Sequence, residues 1–156
     1  MTTKVALVTG ASRGAGRGIA RGFGELGYVV YVTGRTISPG DAKGWDGTVL
    51  PGTVAETAAE VTAAGGRGIA VMCDHGDDAQ VAALFERIER EQGRLDVLVN
   101  NATYIHHQLI EKMPFWEKDL DAVKILDVGL RSAYVATWHA AQIMVKQGSG
   151  TIAFGS

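Results

Sequence analysis

Short apolar runs alternate with longer stretches of helical periodicity, and this alternation limits the folds that the chain can adopt. The runs are apolar at successive positions, which is typical of strands buried on both faces of a parallel sheet. Helical stretches between such strands predict βαβ units with right-handed crossovers. The sequence therefore predicts an α/β fold with a doubly wound parallel sheet, strand order 3-2-1-4-5, and helices on both faces. The predicted strands are residues 5–8, 29–32, 69–72, 97–99 and 152–154, and the predicted helices are residues 17–26, 54–64, 79–92 and 123–146.

A glycine-rich turn follows the first predicted strand and leads into the first predicted helix. It reads Thr9-Gly10-Ala11-Ser12-Arg13-Gly14-Ala15-Gly16. Glycines permit a tight bend and a close approach of the backbone to a pyrophosphate, which the helix N-terminus then attracts. A turn without a ligand is the alternative, but its position between a strand and a helix favours nucleotide binding. The pattern is that of a single Rossmann-type dinucleotide-binding domain over residues 1–156.

Three motifs in order resemble those of one enzyme family. The turn departs from GxGxxG and reads TGxxxGxG, which is similar to the cofactor signature of the short-chain dehydrogenase/reductase family. Asn100-Asn101-Ala102 resembles the NNAG motif after the fourth strand of that family. Asp74, after the third predicted strand, resembles the acid that contacts adenine there. Residues 95–102 and 128–131 look most like the subgroup called dehydrogenase/reductase family member 1.

The resemblance implies an NADP-dependent oxidoreductase that transfers a hydride between nicotinamide and a small carbonyl or alcohol substrate. It also implies a homodimer or homotetramer for the full-length subunit. The residues that it assigns to the cofactor are Gly10, Ser12, Arg13, Gly14, Ala15, Gly16, Arg35, Asp74, His75, Asn101, Ala102 and Thr103.

The end of the second predicted strand bears on the choice between NADP(H) and NAD(H). An NAD site usually has an acid here for the ribose hydroxyls. Glu25 lies too early for this role and Asp41 falls in the following loop. Arg35 instead offers a planar cation that suits a phosphate, and Arg13 in the glycine turn is placed to close on the same group. The missing acid and the two arginines favour NADP(H), whereas the alternative is that both arginines simply face solvent.

The catalytic machinery of the family is only partly represented. The family uses a tyrosine and a lysine in a YxxxK motif after the fifth strand, together with a serine that orients the substrate oxygen. The chain contains no YxxxK, and Ser156 is either this serine or its neighbour. We therefore expect residues 1–156 to be the N-terminal part of a longer subunit. By itself this chain should be inactive, and measurable NADPH-dependent carbonyl reduction by it would contradict that expectation.

Two departures from the family pattern leave other functions open. Thr103 replaces the glycine of NNAG, and Gly129 stands where most members carry an asparagine that organises a relay water. A ketoacyl-type reductase of the same family is one alternative. A catalytically silent nucleotide-binding module is the other, and the missing YxxxK motif is consistent with it.

Four further residues are interpreted mainly as loop or core residues. His106 and His107 follow the fourth predicted strand and are candidates for the substrate pocket, although a solvated loop is favoured. Adjacent side chains are expected to diverge, so no metal site is predicted. Trp45 is interpreted as an anchor of the loop 38–51, with a substrate or partner contact as the alternative, and Cys73 as a buried, inert thiol.

Charge and hydropathy exclude other classes of partner. The net charge is −2 and there is no basic run, which argues against nucleic acid. No stretch approaches the roughly 18 apolar residues of a membrane span. With one cysteine and no secretory signal, the sequence predicts a cytoplasmic protein.

Overall fold

One parallel sheet organises the chain, and the computed structural model describes it over residues 2–44 and 46–155. Trp45 and Ser156, both singled out by the sequence, lie outside the described residues. The strands are β1 Val5–Val8, β2 Val29–Gly34, β3 Arg67–Met72, β4 Val97–Asn100 and β5 Thr151–Phe154. All neighbouring pairs are parallel and the order is β3-β2-β1-β4-β5, so the predicted topology is confirmed.

Helices on both faces of the sheet connect these strands. They are α1 Gly14–Glu25, α2 Val54–Ala63, α3 Asp78–Gln92 and α4 Ser132–Gln147. The predicted bounds of α2 and α3 agree with these to within one residue. Helix α1 begins three residues earlier than predicted, at Gly14 within the glycine turn. No described helix is both long enough and apolar enough to cross a membrane.

The two faces of the sheet carry separate hydrophobic clusters, because successive side chains of a strand point to opposite faces. Burial of these apolar side chains is the main term that holds the helices to the sheet. The cluster under α3 and α4 includes Val5, Leu7, Tyr31, Leu98, Leu84, Phe85, Ile88, Ala140 and Ile143. The cluster under α1 and α2 includes Val8, Val30, Val32, Val99, Ala20, Val54 and Val61.

The prediction of one continuous helix over residues 123–146 is wrong. A short 3₁₀ turn covers Leu120–Val123, and α4 begins only at Ser132. Between them Gly129 has φ 147° and ψ −58°, which breaks the helical path. The apolar periodicity of this stretch could not reveal the break, since periodicity does not report on a single positive φ.

Local capping explains where α2 and α3 begin. The Thr53 hydroxyl accepts a hydrogen bond from the amide of Glu56 at 3.0 Å, and the Glu56 carboxylate accepts one from the amide of Thr53 at 3.0 Å. This reciprocal capping box satisfies two amides that the helix itself leaves without partners. Asp77 caps α3 in a related way by accepting from the amides of Ala79 and Gln80.

Replacing Thr53 with alanine tests the contribution of the capping box to stability. The change leaves the amide of Glu56 without its acceptor, so the free energy of unfolding should fall by about 1 kcal/mol. Urea denaturation followed by circular dichroism measures this difference. Thr3→Ala is the matched control, because Thr3 is exposed ahead of β1. Equal stability of the two variants would contradict the role of the cap.

Candidate functional site

The glycine turn at the carboxyl end of β1 is a steric requirement of the fold. Gly10 and Gly14 have φ of 63° and 57°, in the left-handed region that favours glycine. A Cβ on Gly10 would lie 2.7 Å from Cα of Ala102. A Cβ on Gly16 would lie 2.5 Å from both the Asn101 amide nitrogen and the carbonyl oxygen of Gly10. The turn, the start of α1 and the end of β4 are therefore packed backbone to backbone.

Hydrogen bonds lock the end of β4 onto this turn. The Asn101 side-chain amide donates to the carbonyl oxygens of Thr9 and Gly10, both at 3.0 Å. In return, the Thr9 hydroxyl accepts from the backbone amides of Asn101 and Ala102 at 3.0 and 2.9 Å. The sequence motifs were assigned separately to the two segments, and the structure brings them together. Thr9 was not among the predicted site residues, although it stands in the same motif as Gly10.

The N-terminus of α1 has no cap of its own. Arg13 occupies the N-cap position without a side-chain hydrogen bond to the helix, and the first turn contains no acid. In contrast, α2 and α3 are both capped by side chains. The first amides of a helix have no intrahelical partners, and together with the macrodipole they attract an anion. The start of α1, formed by Gly14, Ala15 and Gly16, is thus suited to a phosphate.

Two guanidinium groups stand near each other beside this helix end. Arg13 donates from Nη2 to the Thr36 hydroxyl at 2.7 Å and from Nε to the carbonyl oxygen of Pro51 at 3.1 Å. Burial lowers the pKa of Arg13, and the positive charge of Arg35 lowers it further. Arg35 is exposed, and no carboxylate pairs with either arginine among residues 2–44 and 46–155. Two cations without a counter-charge form a region that favours an anion.

The positions of Arg13 and Arg35 refine the sequence interpretation. Arg35 faces solvent, whereas Arg13 is held by the loop that follows β2, so only one of the two is a free surface arginine. Thr36, which fixes Arg13, is buried and was missed by the sequence reasoning. In the sequence, only its position directly after Arg35 could have indicated that Thr36 belongs to the site.

Asp74 and His75 lie at the carboxyl end of β3 in different environments. Asp74 is partly exposed and accepts a hydrogen bond from the amide of Gly76 at 2.9 Å. His75 is buried, with Nε2 2.7 Å from the Thr33 hydroxyl. Burial lowers the pKa of His75 to about 4, against a smaller opposing effect of Asp74. Its imidazole is therefore neutral at neutral pH and buried in the protein, whereas the Asp74 side chain is partly open to solvent.

Thr103 and Gly129, the two departures from the family pattern, are neighbours in space. A Cβ on Gly129 would lie 3.3 Å from the Thr103 hydroxyl. The amide of Tyr104 also donates to the carbonyl oxygen of Val128 at 2.8 Å, which joins the two segments. Any residue other than glycine at position 129 would therefore place its Cβ in close contact with the Thr103 hydroxyl.

The expectation that His106 and His107 diverge is wrong. Their ring centroids are 4.2 Å apart, because the backbone between them enters a short 3₁₀ turn at His107. His106 is buried, so the alternative of two solvated histidines also fails for that residue. Cys73 is buried as expected, and burial raises the pKa of its thiol to about 12, which makes it inert.

Comparison with known proteins assigns the chain to one family. A family model described as short chain dehydrogenase matches residues 4–156. Dehydrogenase/reductase SDR family member 1 of Mus musculus is 41% identical over 157 residues, covering 97% of this chain and 45% of the mouse protein. The chain thus spans less than half the length of that relative. The identity confirms the resemblance to this subgroup that residues 95–102 and 128–131 indicated.

Solved structures agree with this comparison. A metagenomic short-chain oxidoreductase in complex with NADP has a TM-score of 0.80 and 29% identity, over 98% of this chain and 62% of that one. A short chain dehydrogenase homolog from Mycobacterium thermoresistibile has a TM-score of 0.81 and 26% identity, over 99% of this chain and 51% of that one. The fold is therefore shared along nearly the whole length of this chain.

The buried His75 should make stability fall in mild acid. The unfolded chain takes up a proton on this residue near pH 6.5, whereas the folded protein resists protonation until about pH 4. Stability is therefore complete above about pH 6.5 and is lost as the pH falls from there towards 4. The free energy of unfolding should drop by about 2 kcal/mol between pH 7 and pH 5 on account of this one group.

A matched variant isolates this effect from other titrating groups. His75→Gln keeps a side-chain N–H for the Thr33 hydroxyl but cannot titrate. Urea unfolding of both proteins at pH 7 and pH 5 gives the difference, and the wild type should lose more stability than the variant. Parallel pH profiles would show that His75 is not held neutral by burial.

Proposed function

This chain belongs to the short-chain dehydrogenase family, and from that premise we propose that it is the NADP(H)-binding part of an oxidoreductase. The proposed site lies at the carboxyl edge of the sheet, where the glycine turn, the end of β2 and the end of β4 meet. In the whole protein, the proposed reaction is hydride transfer between nicotinamide and a small carbonyl or alcohol.

One observation carries the choice of ligand: the uncapped N-terminus of α1 lies next to two guanidinium groups that lack a carboxylate partner among the described residues. A dinucleotide with an additional phosphate supplies anions for both places. Its pyrophosphate suits the amides at the start of α1, as in other glycine-rich turns. Its 2′-phosphate suits Arg35, because a planar guanidinium can donate two parallel hydrogen bonds to a phosphate.

The geometry of Arg13 supports a shared role with Arg35. Its Nε and Nη2 atoms are held by Pro51 and Thr36, which fixes the guanidinium plane before any ligand arrives. Nη1 has no hydrogen-bond acceptor within the described part of the chain and so is available for a phosphate oxygen. A fixed donor loses less side-chain entropy on binding than a mobile one.

The other assigned residues complete the proposed site. Asp74 has a carboxylate available for the amino group of adenine. The backbone at Asn101, Ala102 and Thr103 would border the nicotinamide ribose, because β4 ends beside the glycine turn. The bound nicotinamide supplies or accepts the hydride. The ring of His75 is buried, so we propose that His75 contacts the adenine only through its main chain.

Substrate handling and assembly also belong to the whole protein. Ser156 is our candidate for orienting the substrate oxygen, with the tyrosine and lysine of the family motif as its expected companions. We propose a homodimer or homotetramer in which α4 takes part. The outward positions Tyr134 and Trp138 of α4 are 73% and 56% exposed, which is high for aromatic side chains and typical of a surface that becomes covered.

Arg35→Ala tests the choice of NADP(H). A hydrogen bond to a charged group contributes roughly 1.5–3 kcal/mol, and about 1.4 kcal/mol corresponds to a factor of ten. The affinity for NADPH should therefore fall about tenfold to a hundredfold, while the affinity for NADH should change little. Calorimetric titration with both cofactors at one fixed salt concentration measures this, since salt screens exposed charges.

Two further variants sharpen the comparison. Arg35→Asp should weaken NADPH binding more than alanine does, because its carboxylate repels the 2′-phosphate, and it should improve NADH binding through the ribose hydroxyls. Arg21→Ala is the control, because Arg21 lies on the outer side of α1 and pairs with Glu25. An equal loss of both cofactors in Arg35→Ala would remove the support for NADP(H).

A further inference from the structure

Two histidines and one aspartate converge beside the dinucleotide site but outside it. His106 and His107 lie in the segment that follows β4, and Asp119 lies twelve residues beyond His107. The ligand atoms that these three side chains offer are all within 4.8 Å of one another. In particular, Nε2 of His107 is 4.0 Å from a carboxylate oxygen of Asp119. We propose that these three side chains bind one divalent transition-metal ion of the zinc type.

The backbone around the cluster is already tied in the required arrangement. The Asp119 amide donates to the side-chain oxygen of Gln108 at 2.7 Å, and the Lys118 ammonium group donates to the carbonyl oxygen of Gln108 at 2.7 Å. These bonds hold Asp119 against the turn that carries the histidines. Because these bonds use the backbone of Asp119 and the side chains of Gln108 and Lys118, they leave the Asp119 carboxylate and the His107 ring available.

The distances fit a cation after small side-chain rotations. Zinc lies about 2.0–2.2 Å from nitrogen and oxygen ligands, so ligand atoms in a tetrahedral site are roughly 3.4 Å apart. The widest separation in the cluster, up to 4.8 Å, has to shorten by about 1.4 Å to reach this spacing. Three protein ligands leave one position for water.

The ligand types determine the class of metal. Two imidazoles and one carboxylate suit zinc, cobalt, nickel or ferrous iron, whereas magnesium and calcium prefer oxygen ligands alone. The Gln108 amide donates to Nδ1 of His106 at 3.2 Å. A cation either replaces this N–H at Nδ1 or binds Nε2 after the ring proton has moved to Nδ1. Each route gives up one long hydrogen bond.

The consequence of binding is structural and does not depend on the dinucleotide. The ion would join residues 106 and 107 to residue 119 and so close the intervening loop, which begins three residues after Thr103. Lys112 is exposed within this loop. A closed loop is cut more slowly by a protease, since cleavage requires local opening.

The experiment is a calorimetric titration of tag-free protein with zinc chloride, together with a cobalt titration followed by visible absorption. We expect one saturable site for zinc, a visible absorption band for bound cobalt, and no competition by magnesium. His107→Ala and Asp119→Asn should each weaken zinc about tenfold or more. Both side chains are exposed, so these changes should leave the fold intact by circular dichroism. Zinc should also slow tryptic cleavage after Lys112 several-fold in the wild type only.

Matched controls distinguish this site from unspecific binding. His139 stacks on Phe85 at 5.3 Å between α3 and α4, so His139→Ala should bind zinc like the wild type. Asp121 is a nearby acid that pairs with Lys124, so Asp121→Asn should also retain the affinity. The proposal is overturned if zinc shows no saturable binding, if His107→Ala and Asp119→Asn bind like the wild type, or if the control variants lose as much affinity as they do.

Discussion

The Asn101 side chain makes two hydrogen bonds to the backbone of the glycine turn, and the arrangement of the proposed site depends on them. They run to the carbonyl oxygens of Thr9 and Gly10, and the Thr9 hydroxyl accepts two more from the backbone amides of Asn101 and Ala102 after β4. Two strand ends that are about 90 residues apart in the chain are thereby held as one unit. Without this link, packing alone would fix the strands in the sheet but not the loops that emerge from them.

Steric constraint and hydrogen bonding act on the same residues. Gly16 has to lack a side chain because Asn101 and Gly10 occupy the space of a Cβ, and Gly10 has to lack one because Ala102 does. A side chain at either position would push apart the contact that the hydrogen bonds maintain. Helix α1 begins within this turn and has no side-chain cap, so the segment that packs against Asn101 also offers free helix amides to an anion.

The loop after β2 determines the position of the positive charge of Arg13 beside the glycine turn. That loop returns to the glycine turn, where its backbone carbonyls and Thr36 hold Arg13. Burial and the nearby positive charge of Arg35 both lower the pKa of Arg13, and an anion bound there would offset this effect. At the end of β3, in contrast, burial keeps His75 neutral, so this residue adds no positive charge near neutral pH.

The sequence by itself determined the sheet and the segments that form the proposed site. Alternating apolar runs and helical periods predicted parallel βαβ units, and the glycine-rich turn after the first strand is typical of the order 3-2-1-4-5. The conformation at Gly129 and the convergence of His106, His107 and Asp119 were decided only by the tertiary structure. The same is true of the contacts of Arg13 with Thr36 and Pro51. Each depends on where distant segments meet or on a single backbone angle, and neither leaves a periodic signal in the sequence.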